Sequence, residues 1–214
     1  MDLSEKIPIF PLGVVLLPEM LMPLHIFEER YKTMIGECLD NQKEFGIVYY
    51  DGNNIKSVGC MAKISRIIKK YPDGRMDILT TGTRRFQIEQ IYEEKSYLQA
   101  DVEYFEDNDL DNPSVSDYIS EKAKDLLRQI ARLSKISSKI LSTDKMSSQQ
   151  LSFLIAGIKG FSYDEKQEFL EMQSSAERLE KGIEALTNLV ERLKINKEIK
   201  KIIDGNGHLP QILN

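Results

Sequence analysis

The pattern of apolar and polar positions predicts short strands in the first half of the chain and helices in the second. The apolar segment from Ile7 to Tyr31 is cut by four prolines, at positions 8, 11, 18 and 23. Proline fixes φ and removes a backbone donor, so this segment cannot form one long helix. It predicts two short strands, a loop, and then an amphipathic helix after Leu24, where the sequence becomes acidic and periodic.

Turn signals separate further strands in the rest of the first half. The apolar and β-branched run Phe45–Tyr50 precedes an Asp-Gly-Asn-Asn turn, and the Tyr71–Gly74 sequence predicts a tight hairpin after the next strand. The returning strand, Arg75–Ile91, is too long to run straight, and Gly82 near its middle predicts a bulge or a bend at a barrel corner. With a last strand over Tyr97–Phe105, the pattern favours a small closed or partly closed barrel.

Helical signals dominate after a composition shift near residue 111. Four serines begin capping-box sequences or their acidic variant: Ser114, Ser147, Ser162 and Ser174. The apolar spacing between Leu151 and Ile158 predicts a helix with one buried face, which we expect to end at Gly160. Apolar residues from Leu179 to Leu193 repeat at spacings of four and three, and this short seam favours packing within a helical bundle.

These elements predict an α+β protein with two domains. We expect a β-domain over residues 1–111, a helical bundle over residues 112–204 and a tail over residues 205–214. The boundary lies where the acidic stretch after residue 100 gives way to the first helical signal.

Composition is that of an ordinary globular protein. The chain has 214 residues, of which 41% are hydrophobic and 29% charged, and its formal net charge is −5. A negative balance disfavours nonspecific binding to nucleic acid. Cys38 and Cys60 lack metal-ligand spacing and are predicted to be free thiols in a reducing compartment. Since no apolar run approaches the roughly 18 residues that span a bilayer, we expect a cytoplasmic location.

Motifs for catalysis are absent from the sequence. It holds no phosphate-binding G-x-x-x-x-G-K-[ST], no G-x-S-x-G, no H-E-x-x-H and no C-x-x-C. We therefore expect no catalytic residues, no metal and no cofactor.

Three charged or polar positions near the N-terminus invite a functional interpretation. His25 could serve as an acid, a base or a ligand, but with no second histidine or cysteine nearby we interpret it as a packed histidine that satisfies backbone groups. Adjacent helical carboxylates diverge, so a structural role is favoured for Glu28 and Glu29. We hypothesise that one of them pairs with Arg84 or Arg85 and docks the helix onto the long strand.

Two surfaces are candidates for binding. Apolar residues around Pro18, namely Leu16, Leu17, Met20, Leu21 and Met22, form either core or an exposed, adaptable patch, and core is favoured. Basic residues on the predicted hairpin form either a nucleic-acid surface or a solvated strand face, and the solvated face is favoured.

The proline-rich opening closely resembles the start of the Lon protease N-terminal domain family, which has a "PxFPL" strand, "VLxP" and "LPLHIFExRY". Further similarities follow in register. Val58–Ala62 resembles the small-residue strand of the family, Asp73–Arg75 its hairpin and Gly82–Ile88 its "GxxRFxI" motif. Leu151–Leu170 resembles its "IA…EKQxLLE" helix pair. Many members have glycine where this chain has Glu19.

The resemblance implies a PUA-like β-barrel domain with one helix, followed by a C-terminal α-helical bundle. It implies a noncatalytic module, in a stand-alone form without the ATPase and Ser-Lys peptidase modules, that recognises unfolded or damaged polypeptide or docks it to a protease or chaperone partner. Oligomerisation is compatible with it. The protein-binding candidates are Leu17, Met20, Leu21, Met22, Phe161 and Tyr163. The alternative is RNA binding through the barrel and its basic hairpin, with Lys69, Lys70, Arg84 and Arg85 as the candidate contacts.

Overall fold

The computed structural model describes residues 6–108, 113–134, 143–158 and 160–206. Within them it holds six strands and five α-helices. The strands are β1 (Ile7–Leu12), β2 (Leu21–Ile26), β3 (Phe45–Tyr50), β4 (Ile55–Lys70), β5 (Met76–Tyr92) and β6 (Leu98–Phe105). The helices are α1 (Glu29–Asp40), α2 (Pro113–Ser134), α3 (Ser148–Ala156), α4 (Tyr163–Glu171) and α5 (Ser175–Asn206). This mixed content confirms the predicted α+β class.

Contacts divide the chain into two compact units. The first comprises residues 1–109 and 153–174, and the second comprises residues 110–152 and 175–214. The predicted boundary near residue 111 and most of the predicted tail lie outside the described residues, and those domain limits stay a prediction. The segment with the end of α3 and all of α4 belongs with the strands, because it packs on them.

The six strands form one sheet in the order β2-β5-β4-β3-β1-β6, and a further pairing between β5 and β6 closes it. β1 runs parallel to β3, and the other neighbours are antiparallel. β5 pairs with β4 along most of its length and, because it bends, with both β2 and β6 as well. Its first half pairs with β2 and its second half with β6. β2 therefore lies at the open edge, where Pro23 removes no ladder hydrogen bond that a central strand would need.

The bend predicted in the long strand is confirmed. The register between β4 and β5 shifts between the pairs Cys60–Arg85 and Ala62–Gly82, so that β5 has one extra residue there and bulges out. Gly82 is required for a second reason. A Cβ there would collide with the carbonyl oxygen of Leu17, because the loop after β1 crosses β5 at this point.

The core of the first unit lies between the sheet, α1 and α4. α1 buries one face through Tyr31, Met34, Ile35 and Cys38, and the Phe10 ring stacks on Tyr31 with centroids 3.9 Å apart. α4 contributes Phe169 and Leu170 to the same cluster. Each fully buried side chain of this size stabilises the fold by about 1.5–3 kcal/mol.

In the second unit, α2 and α5 pack against each other. Leu179, Ile183, Leu186 and Val190 are buried, so the predicted seam does pack within a bundle. The capping box at Ser147 is confirmed, since its Oγ accepts from the Gln150 N–H at 3.2 Å and its own N–H donates to Gln150 Oε1 at 3.0 Å. No helix in the described part of the chain is both long enough and apolar enough to cross a membrane.

Candidate functional site

The loop between β1 and β2 is fixed against β5 by backbone hydrogen bonds. The Glu19 N–H donates to the Gly82 carbonyl at 2.8 Å, and the Gly82 N–H donates to the Met20 carbonyl at 3.0 Å. Within the loop, the Met20 N–H donates to the Leu17 carbonyl at 3.2 Å. Glu19 adopts a φ of 62°, in the left-handed region that favours glycine. This fixed turn presents its apolar side chains beside the sheet.

These side chains line an open apolar groove of about 340 Å³, which we call the Met20 groove. Its lining comprises Leu12, Val14, Val15, Leu16, Leu17, Met20, Leu21, Met22, Pro23, Leu24, Gly157, Tyr163 and Lys166. Leu16 and Leu17 are buried, as the core interpretation predicted. That interpretation is wrong for Leu21, whose side chain is 61% exposed. Met20 and Met22 are half-buried and lie between these extremes.

The opposite wall of the groove is set by the start of α4. A capping box at Ser162 fixes that start, since Ser162 Oγ accepts from the Glu165 N–H at 3.2 Å and the Ser162 N–H donates to Glu165 Oε2 at 2.7 Å. Residues three apart share a helix face, so Tyr163 and Lys166 both reach the groove. The Tyr163 ring also lies 6.1 Å from the Tyr49 ring, centroid to centroid.

Close packing between Met20 and Gly157 joins the loop to the end of α3. A Cβ at Gly157 would lie 2.5 Å from Met20 Cε and 3.0 Å from its Sδ. Glycine therefore leaves the space that the methionine side chain occupies. The helix ends at Ala156 instead of near Gly160, where the sequence predicted its end.

Five of the six protein-binding candidates meet in this groove: Leu17, Met20, Leu21, Met22 and Tyr163. The sixth, Phe161, is half-buried and packs edge-on against Phe169 with centroids 5.0 Å apart, outside the groove lining. Gly157 and Lys166 also line the groove, and the sequence did not predict them as site residues. The Ser162 capping box gave a signal for Lys166, because it fixed which residues share a face with Tyr163, whereas nothing local pointed to Gly157.

Arg85 has a structural role. Its side chain is 1% exposed, and its guanidinium donates to Asp107 Oδ1 at 2.6 Å and to the carbonyl oxygens of Leu170 and Met172. The cation therefore binds the C-terminal end of α4 to β5. The nucleic-acid candidate Arg85 is thus wrong, because a buried guanidinium cannot contact a phosphate.

The other nucleic-acid candidates, Lys69, Lys70 and Arg84, are exposed. The Arg84 Cζ atom lies 4.0 Å from the centroid of the Tyr104 ring, and the Lys69 Nζ atom lies 4.4 Å from the centroid of the Tyr71 ring. Lys70 is exposed at the end of β4. The exposure of these three cations fits the solvated strand face that the sequence favoured.

The hypothesis that α1 docks through Arg84 or Arg85 is wrong. Glu28 pairs with Arg30 at 2.7 Å, and Glu29 pairs with Lys32 at 2.8 Å. Both pairs are local to the start of the helix. The neighbouring arginine Arg85 takes Asp107 instead.

His25 is not the packed histidine that the sequence suggested. Its side chain is 46% exposed, and its Nδ1 lies 2.6 Å from Asp77 Oδ1. Asp77 also accepts from the Tyr71 hydroxyl at 2.8 Å. These hydrogen bonds lower the pKa of the Asp77 carboxyl below its usual value, and the bond with His25 has the larger effect. Among the described residues, the His25 side chain thus bonds to a side chain of β5 and to no backbone group.

The two cysteines are free, as predicted, and both are buried. Burial raises the pKa of the Cys38 thiol to about 11 and that of Cys60 to about 12. Thiols that stay protonated are poor nucleophiles. Among the described residues, no group of histidine, cysteine and acidic side chains has the geometry to hold a metal ion.

Comparisons with known proteins agree on one family. The family model for the ATP-dependent protease La (LON) substrate-binding domain matches residues 6–188. The Lon protease 1 of Hydrogenovibrio crunogenus is 29% identical over 208 residues, which cover 89% of this chain and 25% of that protein. The Lon protease of Escherichia coli is 25% identical over 206 residues, covering 91% of this chain and 26% of that protein. The chain spans about a quarter of the length of these relatives.

Solved structures show the same fold. The N-terminal domain of the Mycobacterium avium complex Lon protease superposes with a TM-score of 0.72 at 17% identity, covering 86% of this chain and 98% of that one. A Lon N-terminal domain protein from Xanthomonas campestris gives 0.62 at 22% identity, covering 83% and 96%. Since the family model spans most of its length, the chain belongs to the Lon substrate-binding domain family.

Proposed function

We propose that this chain is a noncatalytic protein-binding module that recognises apolar segments of unfolded or damaged polypeptides through the Met20 groove. The observation that carries the proposal is an open apolar groove whose outer wall, Leu21, is 61% exposed. Contiguous exposed apolar surface on a folded domain marks an interaction site. Methionine side chains adapt to irregular partners, so Met20 and Met22 suit ligands of varied sequence.

The dimensions of the groove fit a weak, reversible interaction. A volume of about 340 Å³ is at the lower end of ligand-binding clefts and accommodates about two or three apolar side chains. Each buried side chain contributes about 1.5–3 kcal/mol, before the costs of association and of ordering the segment. Net affinity is therefore expected to be micromolar or weaker for a single segment. Weak binding suits a module that must release its ligand.

The family supports a partner that processes what is bound. The matching model is named as a substrate-binding domain, and the relatives are Lon proteases. We propose that the module docks bound polypeptide to a protease or chaperone. Since both cysteines are free thiols, the proposal takes the cytoplasm as the compartment. RNA binding gains no support, because one of its four candidate contacts, Arg85, is buried.

Fluorescence-anisotropy titration with a labelled, permanently unfolded model protein tests the proposal. We expect saturable binding to the unfolded form and none to the same protein in its native form. The double variant Met20→Asp and Met22→Asp should weaken binding at least about tenfold, because each carboxylate would be desolvated by an apolar ligand. Binding unchanged in this variant would reject the groove as the site.

Two further variants separate binding from folding. Leu21→Asp changes an exposed side chain. It should weaken binding of the unfolded protein without lowering the urea concentration at the midpoint of unfolding. The matched control is Ile68→Asp with Ile91→Asp, since these side chains are 52% and 40% exposed but lie outside the groove lining. The control should bind like the unaltered protein. Equal loss in the control would indicate binding by general surface apolarity.

A further inference from the structure

Among the described residues that line the groove, Lys166 is the one that carries a charge. Its side chain is half-buried on α4, and its ammonium lies 5.7 Å from the centroid of the Tyr163 ring. Within the part of the chain that the structure describes, no carboxylate forms an ion pair with it. The ammonium therefore contacts the aromatic face of Tyr163 and, because the side chain is half-buried, water.

Three carboxylates of α4 are engaged elsewhere. Glu165 accepts from the N–H and hydroxyl of Ser162 in the capping box. Glu171 accepts from the Gln167 amide at 2.8 Å. Asp164 acts on Tyr49: burial raises the pKa of the Tyr49 phenol, and the negative charge of Asp164 raises it further. The groove therefore has a cation at its wall whose counter-charge α4 does not supply.

A bound apolar segment would cover this cation and remove its water. Desolvation of an unpaired ammonium disfavours binding, whereas a carboxylate brought by the ligand would form a charge-assisted hydrogen bond with it. The same cation would repel a basic ligand. The groove thus discriminates between apolar segments by the charge that flanks them.

We propose that the Met20 groove selects extended apolar segments that carry an aspartate or glutamate beside their apolar side chains, with that carboxylate on Lys166 Nζ. This inference rests on the proposed function, because it assigns a preference to the same groove. Lys166 is then the residue that sets specificity, while the methionines supply the adaptable apolar contact. Segments flanked by lysine or arginine are poor ligands.

The test uses three labelled, C-terminally amidated peptides with one shared apolar core and a flanking Glu, Gln or Lys. In anisotropy titrations we expect the Glu peptide to bind about three- to tenfold more tightly than the Gln peptide, and the Lys peptide to bind most weakly. Added salt should reduce this difference. Lys166→Met should make the Glu and Gln peptides equal, and Lys166→Glu should reverse the order.

The matched control is Lys70→Glu, which makes the same change in net charge at an exposed residue outside the groove lining. It should keep the order of the unaltered protein. Equal affinities of the Glu and Gln peptides in the unaltered protein would overturn the preference and leave the proposed function standing. A fourth peptide, the Gln peptide with a free C-terminal carboxylate, serves as a further control. A gain in affinity with this peptide and none with the Glu peptide would also overturn the preference, because the groove would then bind the carboxylate of a chain end. Binding of none of the peptides would refute both proposals.

Discussion

Replacing Arg85 with methionine is expected to destabilise the first unit severely. The guanidinium is 1% exposed and donates to Asp107 and to the carbonyl oxygens of Leu170 and Met172. Methionine keeps much of the volume but leaves a carboxylate, itself 11% exposed, and two carbonyls without this donor. Breaking a buried ion pair on one side costs about 3–5 kcal/mol. Such a loss is a large part of the usual 5–15 kcal/mol of a domain.

The assay is urea unfolding followed by far-ultraviolet circular dichroism, since the chain contains no tryptophan. Arg84→Met is the matched control, because that arginine is exposed on the same strand and should change the free energy of unfolding by less than about 0.5 kcal/mol. A second variant, Arg85→Met with Asp107→Leu, removes both charges. It should recover about 1–3 kcal/mol relative to the sum of the single variants.

A loss below about 1 kcal/mol in Arg85→Met would contradict the buried ion pair, since removal of the cation leaves the Asp107 carboxylate and two carbonyl oxygens without a donor. Absence of coupling between Arg85 and Asp107 would refute the pairing itself. The same variant should also weaken ligand binding. It loosens α4, which carries Tyr163 and Lys166 into the groove.

Four further outcomes are expected. Glu19→Gly should raise the free energy of unfolding by about 0.5–1 kcal/mol in urea titrations, because glycine removes the cost of a left-handed φ; a decrease would contradict the loop conformation. Gly157→Ala should displace the flexible end of Met20, weakening polypeptide binding about threefold or more while unfolding changes by less than about 1 kcal/mol; unchanged affinity would exclude that contact. Cys38 and Cys60 should resist alkylation at pH 8 until the protein unfolds. The free energy of unfolding should fall as pH rises above about 9, since the folded thiols, with raised pKa values, hold protons that the unfolded thiols release; a rise would contradict their burial.

Much of the fold follows from the sequence because its signals are local. Prolines, turn sequences and serine caps fix where elements begin and end, and the Ser162 and Gly82 predictions hold for that reason. The partners of charged groups do not follow. Arg85 lies on a strand next to Arg84, and the sequence pattern predicts that both are exposed. No local signal shows that the end of α4 covers Arg85.

The groove was predictable in part for the same reason. Apolar residues around Pro18 stand out in the sequence, so Met20 and Met22 could be named. Their environment depends on contacts between distant segments, such as Gly157 and Met20. The position of the Lys166 charge in the groove lining therefore could not be predicted, because it depends on contacts between segments that are distant in the sequence.

The most direct test of the central claim observes the methionine methyl groups themselves. Nuclear magnetic resonance of protein labelled with ¹³C-methyl methionine, titrated with an unfolded polypeptide, reports each methyl separately. Met34 and Met61 are internal references, since they are 0% and 2% exposed. We expect saturable chemical-shift changes for the Met20 and Met22 methyl groups and none for the references. Binding that leaves the Met20 and Met22 signals unchanged would exclude the Met20 groove as the binding site.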